Sequence, residues 1–226
     1  MRRFVQELGA GVRITLVLAV LCGVIYPLVM TGVSQAAFNA QANGSLVTRS
    51  GQVVGSSIIG QCFYATRTLG DGQRVYRTLV DDRGNTIFAV DRRYFQGRPS
   101  FTVDSSGKPL PCNAASSTGS NLGPSSSVLL RRVRGYTDYL RSLGIARGGP
   151  MPVDLVTGDF TGFDPDVSEA AALAQVDMVA GARHLDPSRL RALVEANVTG
   201  RSLWLFGAPH INVLQLNLAL DSLGER

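Results

Sequence analysis

The chain has 226 residues, 45% of them hydrophobic, which is enough for one domain with a core and an additional segment. Its formal net charge of +5 does not indicate a nucleic-acid-binding protein, because Lys and Arg form no cluster with interleaved aromatic residues. Arg131, Arg132 and Arg134 are predicted to lie on one solvated face of a helix.

An uncharged segment of 20 residues, positions 14–33, reads ITLVLAVLCGVIYPLVMTGV. As a helix it is about 30 Å long, the thickness of the hydrocarbon core of a bilayer. It is predicted to be a transmembrane helix, in which neighbouring helices can accommodate a kink at Pro27. A cleavable secretory signal is the alternative, since Ser34, Ala36 and Ala37 are small. The apolar run is longer than the roughly 7–15 residues of a signal sequence, which favours the retained helix.

Charged residues predict the orientation of this helix. Arg2, Arg3 and Arg13 precede it against a single Glu7, and the next charged residue is Arg49. Positive charge accumulates on the cytoplasmic side of membrane helices. We therefore expect residues 1–13 in the cytoplasm and the chain from about residue 35 onward outside the membrane.

The remainder is predicted to be a short linker, residues 34–46, followed by a mixed α/β domain, residues 47–226. Residues 45–59 are typical of a strand–turn–strand unit, and residues 75–90 of a second hairpin around DDRGN. Residues 100–127 are rich in Ser, Gly and Pro and are predicted to be loop. The fold class expected is one N-terminal transmembrane α-helix followed by an exported mixed α/β domain.

Three helices and one strand are expected in the C-terminal half. The first helix carries apolar residues at helical spacing, namely Leu129, Val133, Tyr136, Leu140 and Leu143. The second begins near Ser168, and the third has Asp186 as its N-cap, Pro187 at its first position and an end at Gly200. Leucines that alternate with polar or small residues from 214 to 220 predict a strand with one buried face.

Residues 118–127, TGSNLGPSSS, could form a phosphate cradle or a loop that turns before a helix. No GxxxxGK[ST] sequence is present, and GSNLG lacks the central serine of a nucleophile elbow. His184 and His210 have no Ser/Asp pattern around them, and the acidic residues from 159 to 169 lack EF-hand spacing. No catalytic residue and no metal site is predicted.

Seven segments in order resemble the C subunits of the Kdp potassium-transporting ATPase, a bacterial P-type pump. They are Tyr26-Pro27, GSSIIGQCF (55–63), YFQGRPS (94–100), GSNLGPSS (119–126), MPVDLVTG (151–158), GFDPDVS (162–168) and INVLQLNLALD (211–221).

The sequence departs from the family pattern in three places. Residues of about 64–93 resemble an inserted hairpin, because Gln61 and Tyr94 are farther apart than is usual. Asp166 stands where the family usually has histidine. Near the C-terminus, charged residues of the family are replaced by Ala208, His210 and Gln215.

The resemblance implies an accessory subunit that is needed for assembly and binds no cofactor itself. Its partners would be a potassium-channel-like subunit and an ATP-hydrolysing P-type subunit, which handle potassium and ATP. The family is also proposed to act as a catalytic chaperone that raises ATP affinity, with a glutamine corresponding to Gln61 contacting nucleotide. The expected topology conflicts with that role, because an exported Gln61 cannot reach cytoplasmic ATP.

Two sets of residues are predicted to contact partner subunits. In the membrane, Ala19 and Gly23 form a small-xxx-small face beside the kink. Tyr26 and Pro27 complete this face. Outside the membrane, one loop has two equally weighted interpretations: it only turns the chain before a helix, or it docks on the channel-like subunit. The loop consists of Ser120, Asn121, Leu122, Gly123 and Pro124. Gly119 and Gly123 are expected to allow positive φ there.

Cys62 and Cys112 are the two exported cysteines, and each lies beside a resembling segment. A disulfide between them is predicted, with two free thiols as the alternative. Two other classes of function remain open for the whole chain: a membrane-anchored hydrolase or peptidase, and a solute-binding or adhesive module. The missing nucleophile–base pair argues against the hydrolase.

Overall fold

The computed structural model describes residues 2–224, with side chains from residue 3 onward, as two compact units that divide after Ser56. The first unit is mainly helical and ends in a hairpin. The second is a mixed α/β unit, so the predicted fold class of one long apolar helix followed by an α/β region is confirmed.

The first unit consists of one long helix with a π-helical turn, a short helix and a hairpin. These are α1 (Arg2–Val20), the π-turn (Leu21–Ile25), α2 (Tyr26–Ala37), α3 (Asn39–Ala42), β1 (Leu46–Arg49) and β2 (Gln52–Ser56). The helical stretch Arg3–Ala37 is 35 residues long with a hydropathy of 2.4, enough to cross a membrane. Pro27 accounts for the π-turn before it, because proline lacks an N–H and its ring disfavours regular pairing with the carbonyl of Gly23.

The segment expected as a linker, residues 34–46, is largely helical. Helix α2 continues through Ala37, and the side chains of Gln35, Asn39 and Asn43 hydrogen-bond to one another at 3.0–3.3 Å. The β1–β2 hairpin also belongs to the first unit, so the division falls after Ser56 rather than at residue 47. The polar side chains that suggested a linker instead hydrogen-bond to one another and connect α2 with α3.

The second unit combines short antiparallel strand pairs with five helices in its described part. The pairs are β3 (Thr66–Thr68) with β4 (Arg74–Tyr76), β5 (Thr78–Val80) with β6 (Thr86–Phe88), and β7 (Asp166–Val167) with β8 (Ile211–Asn212). The helices are α4 (Ser127–Ser142), α5 (Glu169–Ala174), α6 (Val176–Arg183), α7 (Pro187–Ala196) and α8 (Val213–Gly224), with a 3₁₀ turn at Val153–Leu155.

Three helix starts match the sequence prediction because their caps are encoded locally. Ser126 caps α4 by accepting a hydrogen bond from the Leu129 N–H, and Ser168 and Asp186 cap α5 and α7 in the same way. The end of α7 was predicted less well. It stops at Ala196, before the expected Gly200.

The predicted strand at residues 214–220 is wrong, because this segment forms α8. Its buried residues, Val213, Leu214, Leu216, Asn217 and Leu220, recur every three or four positions, which is helical spacing. Leucine, glutamine and alanine are also good helix formers, whereas β-branched residues favour strands. The alternating leucines satisfied a period of two only by coincidence.

The inserted segment, residues 64–93, forms two hairpins rather than one, and three of its aromatic rings pack against one another. Tyr64 stacks on Phe88 at 5.5 Å between ring centroids, and Tyr76 meets both edge-on. Burial raises the pKa of Tyr64 to about 12. The backbone N–H of Val90 donates to the Tyr139 hydroxyl of α4 at 3.0 Å, which fixes the insert on that helix.

Helix α4 contacts the insert at Gly135. A Cβ on Gly135 would collide with the carboxylate of Asp81, which shapes the β5–β6 turn by accepting from the N–H groups of Arg83 and Asn85. Arg83 in turn forms an ion pair with Asp138 at 2.9 Å. The turn and the helix are therefore fitted to one another.

Two buried side-chain amides hold an irregular backbone segment inside the core. Asn217 of α8 accepts from the Phe95 N–H and donates to the Phe95 carbonyl, both at 2.9 Å. Gln175 accepts from the Gln96 N–H at 2.7 Å and donates to its carbonyl at 3.1 Å. Each amide thus pairs with backbone as a neighbouring strand would. We call these four residues the amide clasp; Phe95 and Gln175 are fully buried.

A disulfide joins Cys62 to Cys112, with Cα atoms 5.7 Å apart. It ties the segment after Gly60 to the loop that follows residue 100. Cys112 also donates its N–H to the Ser100 hydroxyl at 2.8 Å, and Asn113 donates its N–H to Thr102 Oγ1 at 3.0 Å. A long loop without strands is thereby fixed at its middle.

We expect Asn217→Ala to lower the free energy of unfolding of the second unit by roughly 2–5 kcal/mol, because it leaves two buried backbone groups of Phe95 unpaired. Urea unfolding of the full-length chain in mild detergent, followed by near-UV circular dichroism, measures this. Gln215→Ala on the exposed face of α8 is the matched control. A loss for Asn217→Ala no larger than that of the control would contradict the role of the clasp.

The disulfide closes a loop with a sequence separation of 50 residues. Replacing both cysteines, Cys62→Ser with Cys112→Ser, should cost about 4 kcal/mol on the chain-entropy model. A reducing agent should destabilise the wild-type chain but leave the double variant unchanged, and Cys22→Ser should behave as wild type. Two reactive thiols besides Cys22 in the oxidised, unfolded protein would exclude the bridge.

Candidate functional site

The loop predicted to dock on a partner, residues 120–124, lies at the surface directly before α4. Four of its residues are exposed, and Leu122 is half-buried. Asn121 adopts the left-handed conformation at φ 51°, which asparagine tolerates better than most residues. The expectation of positive φ at Gly119 and Gly123 is wrong, since neither adopts it. We call residues 120–124 the docking loop.

Gly119 instead allows the backbone at residue 119 to lie close to the backbone of Phe160. A Cβ there would lie 3.1 Å from the Phe160 carbonyl oxygen and 3.2 Å from its Cα. The neighbouring Thr118 donates its N–H to the Thr161 carbonyl at 3.1 Å. The docking loop therefore begins from an anchored position rather than from a free segment.

The turn that anchors the docking loop is organised by Asp159. Its carboxylate accepts from the N–H groups of Thr161, Gly162 and Asp164 at 2.9–3.1 Å and from the Thr161 hydroxyl. The oxygens that could bind a cation are thus occupied by donors of the chain itself. Within residues 2–224, no three His, Cys, Asp or Glu side chains come together as a metal site.

Three resembling segments meet at one place, which we call the motif junction: residues 57–61, 163–166 and 210–212. Gly60 donates its N–H to the Phe163 carbonyl at 2.6 Å. A Cβ on Gly60 would overlap the Asp164 carbonyl, so this approach requires glycine. Asn212 donates to the Ser57 carbonyl at 2.8 Å and to Asp166 Oδ1 at 3.3 Å.

Two departures from the family pattern face each other at the motif junction. His210 Nε2 lies 3.8 Å from Asp166 Oδ2 across the β7–β8 pair. Burial raises the pKa of the Asp166 carboxyl, and the nearby His210 opposes that rise. The carboxyl at 166 and the imidazole at 210 are therefore neighbours, although the sequence alone showed them as separate changes.

Gln61 is the last residue of the first segment of the motif junction. It lies between Gly60 and the disulfide-bonded Cys62, and it is half-buried. Its backbone position is set on both sides, by the glycine contact and by the bridge. Nearby, Arg98 Nε lies 3.8 Å from Asp164 Oδ2, and Arg98 Nη2 donates to the Gly158 carbonyl at 3.3 Å.

The predicted membrane contact face lies on the helix of the first unit. Ala19 is in α1, Gly23 is in the π-turn, and Tyr26 and Pro27 begin α2. All four are exposed, and a Cβ added to Gly23 would meet no atom within 4 Å. The face is open in the isolated chain.

Sequence reasoning did not identify Gln175, Asn217, Gly60 or Gly135 as determinants of the arrangement. A signal existed for the first two, because each is a polar residue in an otherwise apolar helical stretch. Gly60 and Gly135 gave no such signal, since only a neighbouring segment distant in sequence makes them necessary.

Comparison with known proteins gives one family. A family model described as "K+-transporting ATPase, c chain" matches residues 8–222. The potassium-transporting ATPase KdpC subunit of Methylobacterium nodulans is 47% identical over 98% of this chain and 99% of that protein. The KdpC subunits of Paraburkholderia xenovorans and Methylorubrum populi are 42% and 44% identical, each over 92% of this chain, covering 92% and 93% of those proteins.

Proposed function

The chain belongs to the family of C subunits of the potassium-transporting ATPase, and we propose that it is a non-catalytic accessory subunit that supports assembly of the pump. Its partners in this proposal are a potassium-channel-like subunit and an ATP-hydrolysing P-type subunit. ATP and potassium are handled by those partners. The chain contributes contacts, in the bacterial plasma membrane and outside it.

One observation carries the proposal: the helix Arg3–Ala37 is apolar and none of its most hydrophobic stretch is buried within the chain. In a bilayer, lipid satisfies such a surface without giving it a specific neighbour. Specific association requires close packing, which small residues permit. Ala19, near the end of α1, and Gly23, within the π-turn, supply small residues where the helix departs from regular geometry.

The docking loop is the second contact in this proposal. Its exposed residues are held from one side by the turn at Asp159 and from the other by the start of α4. A loop fixed in this way loses little conformational freedom on binding. We assign it to the outer surface of the channel-like subunit.

The second unit lies outside the cytoplasm in this proposal, because Arg2, Arg3 and Arg13 precede the uncharged helix. Gln61 then lies on the opposite side of the membrane from ATP. Its rigid placement between Gly60 and the disulfide supports a structural role, and we assign it no contact with nucleotide.

We expect Gly23→Leu to reduce recovery of the two partner subunits with this chain after mild detergent extraction. A Cβ at this position meets no atom of the chain outside its own helical backbone, so we expect the added bulk to act on a neighbouring helix. Potassium-stimulated ATPase activity of the recovered complex should fall in parallel.

Gly32→Leu is the matched control for that experiment. Position 32 is equally open and lies nine residues on, roughly 2.5 turns of a regular helix, so that even with the π-turn between them it is on a different face from position 23. Wild-type recovery and activity for Gly23→Leu would show that this face is not the contact. Equal losses for both variants would show that the helix does not discriminate between its faces.

Protease added outside intact spheroplasts should cleave the chain within residues 40–226, as the charge asymmetry around the helix requires. Cleavage is detected with an antibody against an epitope at the C-terminus. Protection of that region in intact spheroplasts, with cleavage after lysis, would reverse the orientation and restore Gln61 as a candidate nucleotide contact.

A further inference from the structure

A tight turn between α7 and β8 presents four consecutive large apolar side chains to solvent. Leu203, Trp204, Leu205 and Phe206 are 78%, 93%, 70% and 62% exposed. We call residues 201–207 the apolar turn. Scattered exposed hydrophobic residues are ordinary on protein surfaces, whereas a contiguous group marks an interaction site.

The apolar turn is a defined structure and not a loose segment. Ser202 and Phe206 exchange backbone hydrogen bonds at 2.9 Å, and Thr199 and His210 close its base at 2.8 and 3.0 Å. Leu203 and Trp204 both have positive φ, 50° and 60°. Bulky residues rarely adopt this conformation, so the turn holds the indole outward at a conformational cost.

The described chain gives these side chains little to pack against, since all four are 62–93% exposed. In residues 3–224, the four apolar side chains take part in no side-chain hydrogen bond and no aromatic or cation–π pair. Exposed apolar side chains held in a rare backbone conformation point to a contact with a surface outside the chain.

The bilayer is a surface that is always near the second unit, because the apolar helix of the same chain is long enough to span it. Its apolar helix ends at Ala37, and the second unit begins at Ser57. The residues between, 38–56, span at most about 68 Å even when fully extended. The second unit has a radius of gyration of about 15 Å, so the tether keeps it near the lipid headgroups without fixing which face it turns to them.

The composition of the apolar turn fits a lipid interface. Tryptophan concentrates at the headgroup level of membranes, where its ring is half in hydrocarbon and its N–H remains hydrated. Leu203, Leu205 and Phe206 provide apolar area on either side of it. Arg201 is exposed at the edge of the turn, where it can meet lipid phosphate.

We propose that the apolar turn inserts into the interface of the bilayer and gives the second unit a second attachment to the membrane. The inference rests on the membrane helix and not on its orientation, because both leaflets present phospholipid headgroups and acyl chains. It is also independent of assembly with partner subunits, since the turn meets lipid in the isolated chain.

Trp204 is the single tryptophan of the chain, so its fluorescence reports on the apolar turn alone. The full-length chain is reconstituted into phosphatidylcholine–phosphatidylglycerol vesicles with and without lipids brominated near the headgroup end of the acyl chain. We expect brominated lipid to quench most of the emission and acrylamide to quench it poorly.

Two variants separate insertion from general proximity to the vesicle. Leu205→Ser keeps the probe and should lower the equilibrium constant for insertion at least roughly tenfold, which lowers the lipid quenching. Phe160→Trp combined with Trp204→Phe moves the probe to another aromatic position that is 91% exposed, where lipid should not quench it. Both changes are at exposed positions, and circular dichroism checks that the fold is retained.

Trp204 that remains open to acrylamide and is not quenched by brominated lipid would overturn the proposal. Shielding that appears only when the partner subunits are reconstituted together with the chain would also overturn it, and would assign the turn to a protein contact. Equal lipid quenching at positions 160 and 204 would show nonspecific proximity and would likewise contradict it.

Discussion

The amide clasp is the interaction on which the second unit depends. Residues 94–100 form neither helix nor strand, yet Phe95 and Gln96 lie at the centre of the core. A buried irregular backbone is costly unless its N–H and C=O groups are paired. Asn217 from α8 and Gln175 from the α5–α6 junction supply that pairing, and so bind two helices to one loop. The clasp thereby joins parts of the chain that are 79 and 122 residues apart.

Close backbone approaches extend this arrangement to the surface. Gly60 lets the segment after the first unit lie against residues 163 and 164, and Gly119 brings the start of the docking loop against Phe160. The disulfide holds the remaining long loop in place. Short strand pairs contribute little area, so a surface suited to contact is built from loops that glycines, amides and one covalent bridge make rigid. Such a construction is consistent with a subunit that works by docking.

Features encoded locally were predicted from the sequence, and features that depend on distant segments were not. The apolar helix, three N-caps and the hairpins at residues 46–56 and 78–88 each follow from a few neighbouring residues. The segment 213–224 was misassigned because its leucines fit a period of two as well as a helical period, and only packing decides between them. At the candidate site, the contact of Asp166 with His210 depends on the β7–β8 pairing. Strands of two residues have no periodic pattern from which a sequence could predict this pairing.

A rigid second unit is the premise of the docking account, and it depends on the amide clasp. Hydrogen exchange at the backbone amides of Phe95 and Gln96, in the full-length chain in mild detergent, measures it most directly. We predict that both amides exchange only through global unfolding of the unit, as slowly as the core amides of α6, because their acceptors are fully or almost fully buried side chains. Exchange at the rate of an exposed loop would show that the clasp opens locally, and would contradict the account.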